Sequence, residues 1–338
     1  GGNYNVAVGD EAGTAITTGD YNTAVGFQAL ATEDTGGSST AVGYYALNAQ
    51  NNDAATNYNT AVGSNAGQVI TTGTLNTLVG GLAGDAITTG YSNVALGYLA
   101  LSTDTLGATS IAIGTSALRN QNFTTATAAY NVAIGDTAGT AITTGTYNNL
   151  IGGLAGDALT DADYNVAIGG AALTADTLGS RSVAIGHAAL YTQNFTTATD
   201  AYNVAVGHNA GLAVTTGTNN VLIGGLAGDA ITDADGNVAV GSLALSTNTV
   251  GSASVAVGYA ALSTQNPSTA TQMYNVAVGQ NAGAAVTTGI ENTLIGALAG
   301  DALSDADYNV AIGSQALSQD TLGSQSVAVG QGALYSQN

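Results

Sequence analysis

Hydrophobic residues recur along this chain in one short phrase, a strand-like apolar segment that ends in glycine. The phrase occurs nineteen times, at steps of 17 residues that lengthen to 20 or 21 where an insertion intervenes. A fixed step of this size is typical of a solenoid, in which each repeat forms one coil stacked on the previous coil. The pattern therefore predicts an all-β fold, a parallel β-solenoid (β-roll) of about 19 stacked coils of 17 residues.

The residues before each phrase glycine predict a strand with apolar side chains on both faces. The residue one position before the glycine is aliphatic in every copy, and the residue three positions before it is mostly Val or Thr. These two positions share one face because side chains alternate along a strand. The position between them is Ala in fifteen copies and Leu in four. One face must line the coil's own core, and we expect the alanine face to pack closely against something else.

A polar ladder is predicted beside the strands. The residue four positions before the phrase glycine is Asn in fourteen coils and Ser in five; the asparagines include Asn5, Asn59, Asn131, Asn203 and Asn275. Stacked coils place these side chains one above another, about 4.8 Å apart. We expect this ladder to satisfy the side-chain amides and to hold the register of the coils. Tyr often precedes the Asn and is expected to stack in the same way.

The coils are of two kinds, which differ in how they fill the core. In the Ala-Gly coils an aliphatic residue follows three positions after the glycine, as Ile142 follows Gly139. In the Ala-Leu coils a polar residue stands there, as Asp176 follows Leu173. We expect Leu in one kind and Ile or Val in the other to occupy the same volume. Two coils of each kind and a four-residue insertion make a superrepeat of 72 residues.

The insertions begin with Gln-Asn and continue with Thr-rich sequence. We expect them to form a row of projecting loops, roughly 19 Å apart at about 4.8 Å per coil. The candidate contacts of these loops with a partner are Gln121, Asn122, Gln193, Asn194, Gln265 and Asn266.

Composition excludes several classes of function. Two cations, Arg119 and Arg181, stand against 22 carboxylates, which gives a net charge of −20. A phosphate-binding surface needs clustered Lys and Arg, so nucleic acid is not an expected partner. An acidic chain is not attracted to anionic lipid, and no apolar run reaches the roughly 18 residues of a membrane span. Cysteine is absent, so disulfides do not stabilise the fold.

Three segments carry a resemblance to known repeats: YNVAIGDTAG (130–139), RSVAIGHAAL (181–190) and YNTAVGFQAL (21–30). They resemble the YadA-like head repeats of trimeric autotransporter adhesins and the NTAVGxxAL repeats of bacteriophage tail fibres. The resemblance covers the whole chain. It implies a parallel β-roll, left-handed in the adhesins, that assembles as a homotrimer at a cell surface or on a virion, and it supplies no catalytic residue. This chain departs from the adhesin pattern in its longer coil and its superrepeat.

A repeated acidic segment contains candidate Ca²⁺ ligands. Carboxylates on a turn suit this ion, which takes six or more oxygen ligands. Aspartate also favours turns for its own local hydrogen bonds, and the earlier copy of the segment at Asp85 lacks the later pair of aspartates. Both interpretations stay open, and no other cofactor is expected. The candidate ligands are Asp157, Asp161, Asp163, Asp229, Asp233, Asp235, Asp301, Asp305 and Asp307.

The two histidines are expected to be neighbours. His187 and His208 each follow a phrase glycine on adjacent coils. A zinc site needs three or four protein ligands, and the sequence supplies no evident third. Other coils carry varied residues at this position, which indicates a variable surface.

Together these features predict a structural protein and not an enzyme: a shaft and display segment of an extracellular fibre or surface adhesin. We expect residues 1–338 to be one continuous array, cut from a longer one. A carbohydrate- or receptor-binding module that uses the Gln-Asn loops and exposed Tyr is one alternative. A self-polymerising extracellular filament subunit is another, because the two ends of the chain fall at nearly the same phase of the repeat.

Overall fold

The computed structural model describes residues 2–53 and 56–336. Within those residues the protein is all-β, contains no helix and forms a parallel β-solenoid of about 19 turns spaced about 17 residues apart. The fold predicted from the phrase spacing is therefore confirmed. Contacts divide the chain into two compact units, Gly1–Asn165 and Val166–Asn338.

In the first unit, three-residue strands recur once per turn. A pair of two-residue strands, β7 and β9, is added at the insertion that follows Gln121, whereas an isolated bridge between Gly37 and Thr56 lies at the insertion that follows Gln50. The strands are β1 (Val6–Val8), β2 (Thr23–Val25), β3 (Thr40–Val42), β4 (Thr60–Val62), β5 (Thr77–Val79), β6 (Val94–Leu96), β7 (Gly107–Ala108), β8 (Ile111–Ile113), β9 (Thr127–Ala128), β10 (Val132–Ile134) and β11 (Asn149–Ile151).

The second unit repeats this arrangement with two such added pairs, β13 with β15 and β19 with β21. Its strands are β12 (Val166–Ile168), β13 (Gly179–Ser180), β14 (Val183–Ile185), β15 (Thr199–Asp200), β16 (Val204–Val206), β17 (Val221–Ile223), β18 (Val238–Val240), β19 (Gly251–Ser252), β20 (Val255–Val257), β21 (Thr271–Gln272), β22 (Val276–Val278), β23 (Thr293–Ile295), β24 (Val310–Ile312) and β25 (Val327–Val329).

Within each unit, the three-residue strands of successive turns pair in parallel and in register. Val204 lies opposite Val221, 17 residues later. The same register survives an insertion, because Ile111 lies opposite Val132, 21 residues later. The extra residues are accommodated outside this ladder, next to the short pair β7 and β9.

Alanine lines the interior of the solenoid, which corrects the expectation that the alanine face packs against something else. The central strand residues Ala133 and Leu150 are fully buried, whereas Val132 and Ile134 on either side of Ala133 are half-buried. Opposite walls of one coil meet across a narrow interior, and close packing there favours small inward side chains. The β-branched residues consequently form the outward face of each strand.

The two kinds of coil fill the interior as predicted. Leu118 in an Ala-Leu coil and Ile142 in an Ala-Gly coil are both fully buried. A Cβ atom on Gly139 would lie 2.7 Å from Leu150 Cδ1 and 3.2 Å from Ile142 Cδ1. Because Gly139 has no side chain, Leu150 and Ile142 can fill the space next to it.

The phrase glycine is required both by the backbone and by stacking. Gly135 has φ +144, a conformation that side chains rarely adopt. A Cβ atom there would lie only 2.4 Å from the carbonyl oxygen of Gly152 on the next turn. The invariance of this residue across the repeats of the chain follows from these two constraints.

Candidate functional site

The asparagine side chains link each turn to the next through the backbone. Asn148 is fully buried; its Oδ1 accepts from the backbone N–H of Asn165 at 3.0 Å, and its Nδ2 donates to the carbonyl of Ala162 at 2.7 Å. The ladder thus joins side chain to main chain more than amide to amide. The same two bonds are made by Asn5, Asn59, Asn131, Asn203 and Asn275.

Tyrosines stack beside this ladder wherever they occupy consecutive turns. The rings of Tyr130 and Tyr147 have centroids 5.1 Å apart, and those of Tyr147 and Tyr164 are 5.0 Å apart with an interplanar angle of 10°. About half of each Tyr130 and Tyr164 side chain is exposed. The stack is therefore a surface feature, as expected for tyrosine with its polar end in water.

A carboxylate and a glutamine lie buried together in successive Ala-Leu coils. Gln121 Nε2 donates to Asp104 Oδ2 at 2.6 Å and to Ser110 Oγ at 3.0 Å, and Gln121 Oε1 accepts from Asn131 Nδ2 at 2.9 Å. These four residues are fully buried. Asp104 and Gln121 occupy the interior position where Ala-Gly coils place Ile or Val, so these two polar side chains replace aliphatic core.

The cluster recurs in the second unit. Gln193 Nε2 donates to Asp176 Oδ2 at 2.6 Å and to Ser182 Oγ at 3.0 Å, and Gln193 Oε1 accepts from Asn203 Nδ2 at 2.9 Å. The sequence marks these positions as polar, yet nothing in a single coil shows that residues 17 apart meet inside the solenoid.

Burial raises the pKa of the Asp104 and Asp176 carboxyls, because their charged forms are desolvated. Hydrogen bonds from Gln121 and from the backbone N–H groups of Gly107 and Phe123 partly offset this effect on the pKa of Asp104. The backbone bonds also close the turn after Asp104, since Gly107 lies three residues further along.

One copy of the cluster is incomplete. Asn248 stands where the other copies have an acid, and its Oδ1 and Nδ2 both bond to the backbone of Gly251. Gln265 Oε1 still accepts from Ser254 at 3.1 Å and from Asn275 at 3.0 Å, but the buried Gln265 Nε2 has no partner. The side chain of Asn248 offers Gln265 Nε2 no second acceptor oxygen. In the complete cluster, the second carboxylate oxygen of Asp104 accepts from Gln121 Nε2.

The glutamines that begin the insertions are not partner contacts, contrary to the expectation from their sequence. Gln121, Gln193 and Gln265 are fully buried, because they belong to the polar clusters. Phe123 is also buried and anchors its insertion.

The asparagines that follow these glutamines are exposed, but each is tied to the preceding turn. Asn122 accepts from Thr105 Oγ1 at 3.0 Å, Asn194 from Thr177 Oγ1 at 3.0 Å, and Asn266 from Thr249 Oγ1 at 2.7 Å.

The third aspartate of each acidic segment bonds to the turn before it. Asp163 Oδ1 accepts from the backbone N–H and the hydroxyl of Thr146 at 2.7 and 2.9 Å. Asp235 accepts in the same way from Thr218, and Asp307 accepts from the N–H of Ile290 at 2.9 Å. These hydrogen bonds connect each turn to the turn before it.

Four other aspartates of these segments accept from hydroxyls of the neighbouring turn or of the preceding residue. Asp161 Oδ1 accepts from Thr143 and Thr144, and these bonds lower the pKa of Asp161. Asp233 and Asp305 each accept from the hydroxyl of the preceding residue, and Asp301 accepts from Ser318 at 2.6 Å.

Asp157 and Asp229 are half-buried at the position equivalent to Asp301, and burial raises the pKa of Asp229. Across residues 2–53 and 56–336, no three acidic or histidine side chains come together as a metal site. The geometry supports the turn interpretation of this segment.

The two histidines are neighbours, as expected. The rings of His187 and His208 stack with centroids 5.5 Å apart, and both are exposed. The described part of the chain supplies no third ligand to this pair.

The outward face of the strand ladder is apolar in both units. Val79 and Ile151 in the first unit are each 37% exposed, and Ile223 and Ile295 in the second are 37% and 38% exposed. None of the three-residue strands in the described chain contains a charged residue. Each unit thus displays aliphatic side chains turn after turn on one face, and contiguous apolar surface of this kind is typical of an interaction site.

Comparison with known proteins names no relative: no family model matches the chain, and no curated protein matches its sequence. Among the described residues, no helix is long and apolar enough to cross a membrane.

Proposed function

We propose that this chain is a structural shaft and display segment of an extracellular fibre or surface adhesin. It works without catalysis and assembles as a homotrimer of parallel β-solenoids. The resemblance to adhesin head repeats and phage tail-fibre repeats supports the biological setting, at a cell surface or on a virion. The partner of each chain is another copy of itself.

The outward strand face is the observation that carries this proposal. Val, Ile and Thr side chains stand half-exposed along each unit, in register and without an intervening charge. Acidic residues give the chain a net charge of −20, yet they are kept off these strands. A surface that faced only water would gain from polar residues at these positions, whereas a second apolar face would bury them.

The interior of the solenoid suits a mechanical role. Backbone pairing continues from turn to turn, and the asparagine ladder and the Asp-Gln clusters add buried hydrogen bonds between turns. Stability in such arrays is the sum of each turn and its contacts with neighbouring turns. A shaft of this kind is lengthened by adding coils without redesigning the rest.

The test is a double substitution on the outward face, Val240→Glu with Val257→Glu. Both residues are half-buried, and each glutamate would place an unpaired charge in the proposed interface. Sedimentation velocity should show a shift from three chains to one. The control is Ser242→Glu, an exposed position in the turn that follows the strand of Val240, and it should leave the mass unchanged. The proposal fails if the double variant keeps the mass of the unchanged chain.

A further inference from the structure

The tyrosine stack of the first unit has a gap at Ser38. Tyr4, Tyr21, Ser38 and Tyr58 occupy the same position in four successive turns, five residues before the phrase glycine. Tyr4 and Tyr21 stack with centroids 5.1 Å apart and an interplanar angle of 6°. Ser38 carries no ring, so the stack stops at Tyr21 and resumes at Tyr58.

The gap has the width of one missing ring. Tyr21 and Tyr58 lie two turns apart, which corresponds to about 10 Å at a rise of about 4.8 Å per turn. A ring placed between them would lie about 5 Å from each, within the range at which aromatic rings attract a neighbour. Tyr21 is 62% exposed and Tyr58 60%, more than the 43% of Tyr147, which has a ring on both sides.

The gap opens into a notch of about 360 Å³. This volume lies at the lower end of the range of small-ligand sites, about 300–1,000 Å³. Apart from the two aromatic walls, the lining consists of short polar side chains, and Asp20 is the one charged residue among them. The residues used in the argument are Tyr21, Tyr58, Ser38, Asp20, Thr18 and Thr56.

We propose that this notch, which we call the Ser38 notch, binds one neutral six-membered sugar ring between Tyr21 and Tyr58. A pyranose presents apolar C–H faces to the negative faces of the two rings. Its rim of hydroxyl groups meets the hydroxyls of Thr18, Ser38 and Thr56 and the carboxylate of Asp20.

Charge sets the class of sugar. Asp20 and the net charge of −20 repel acidic sugars such as uronic acids. The carboxylate of Asp20 can accept hydrogen bonds from sugar hydroxyls, but it would repel the carboxylate of an acidic sugar. The inference goes beyond the proposed structural role and does not depend on the state of assembly.

The substitution Ser38→Tyr closes the notch without a change of backbone. Ser38 has φ +61, and tyrosine already occupies this position at φ +60 in Tyr21 and φ +51 in Tyr58. The new ring would complete the stack. Ser92→Tyr is the matched control, because Ser92 has φ +56 at the equivalent position of a turn outside the notch.

The removal of one wall gives an independent variant. Tyr58→Ala leaves one aromatic face, and alanine is accommodated at the equivalent position by Ala253 at φ +60. Far-ultraviolet circular dichroism verifies that each variant retains its β structure.

The experiment is an NMR titration of the full chain with methyl glycosides of glucose, galactose and mannose, and with methyl glucuronide as the acidic sugar. We expect saturable binding of at least one neutral glycoside with a dissociation constant on the order of 1 mM, as suits a ligand of this size. Ser38→Tyr and Tyr58→Ala should each weaken it at least about tenfold, which corresponds to the loss of one stacking wall. Ser92→Tyr should bind as the unchanged chain does.

Four results would overturn the inference: no saturable binding of any neutral glycoside, equal binding by Ser38→Tyr, preferential binding of methyl glucuronide, or binding of a flat aromatic probe, 4-nitrophenol, in place of the sugars. Ser38→Tyr should not alter the mass of the assembly, so failure here is distinguishable from failure of the proposed structural function.

Discussion

Gln121 donates a hydrogen bond from its side-chain amide to a carboxylate oxygen of Asp104 at 2.6 Å, between successive turns inside the solenoid. Both residues are fully buried. They are 17 residues apart, one turn of the fold. A buried carboxylate without such a partner would destabilise the fold strongly. The hydrogen bond from the Gln121 amide therefore allows Asp104 to occupy the core.

The incomplete cluster at Asn248 allows this contribution to be measured. We expect Gln121→Met to lower the free energy of unfolding by about 1–3 kcal/mol more than Gln265→Met, because only Gln121 bonds to a carboxylate. Methionine preserves much of the length of glutamine, which limits the cavity in both variants. Urea unfolding of the two variants gives the comparison, and equal losses would contradict the role given to Asp104.

Stability should depend on pH through the buried acids. Burial raises the pKa of Asp104 and Asp176 in the folded state, so the folded protein holds these protons more tightly than the unfolded chain does. Their contribution to stability is therefore fully present below the unfolded pKa of about 3.9 and is lost as pH rises through the higher folded pKa.

The double variant Asp104→Asn with Asp176→Asn isolates this effect. It should show a flatter decline of the urea midpoint between about pH 4 and pH 7 than the unchanged chain. Asn248 shows that an amide is accommodated at this position. Parallel pH profiles of the two proteins would rule out the assignment.

The phrase glycine should tolerate no side chain. We expect Gly135→Ala to cost about 3 kcal/mol or more, because φ is +144 and the added Cβ would clash with the carbonyl of Gly152. Gly153→Ala is the control, since its nearest neighbour outside the adjoining residues would be 4.0 Å away. Thermal unfolding distinguishes them, and similar melting temperatures for both would argue against the stacking constraint.

The asparagine ladder should contribute to stability at each turn. Asn148→Ala leaves the backbone N–H of Asn165 and the carbonyl of Ala162 without their partner, and we expect a loss of about 2–4 kcal/mol. Asn122→Ala at an exposed position should change stability by about 0.5 kcal/mol or less. Chemical unfolding checks both, and a small loss at Asn148 would show that water replaces its side chain.

The sequence predicts the turns of this protein well because each turn repeats the same phrase. Glycine at one position and Asn or Ser four residues before it mark every three-residue strand, so the positions and register of these strands follow from spacing alone. The filling of the core by Leu118 or Ile142 is likewise visible, because one aliphatic residue appears whenever the other is missing.

The direction in which each strand faces is not visible in the same pattern. Both faces of the strand are apolar, so the alternation of side chains does not tell which face lies inside. Alanine faces inward because the interior of the coil is narrow. The burial of Gln121 is hidden for a different reason. Glutamine beside a Thr-rich insertion is typical of a surface loop, and its acceptor lies one turn away in Asp104.

The mass of the unmodified chain in solution, measured by light scattering, tests the central proposal most directly. The outward apolar face predicts a discrete species of three chains, three times the 32.8 kDa of one chain. A monomer that stays monodisperse at high protein concentration would contradict it, because the Val and Ile face would then remain open to water.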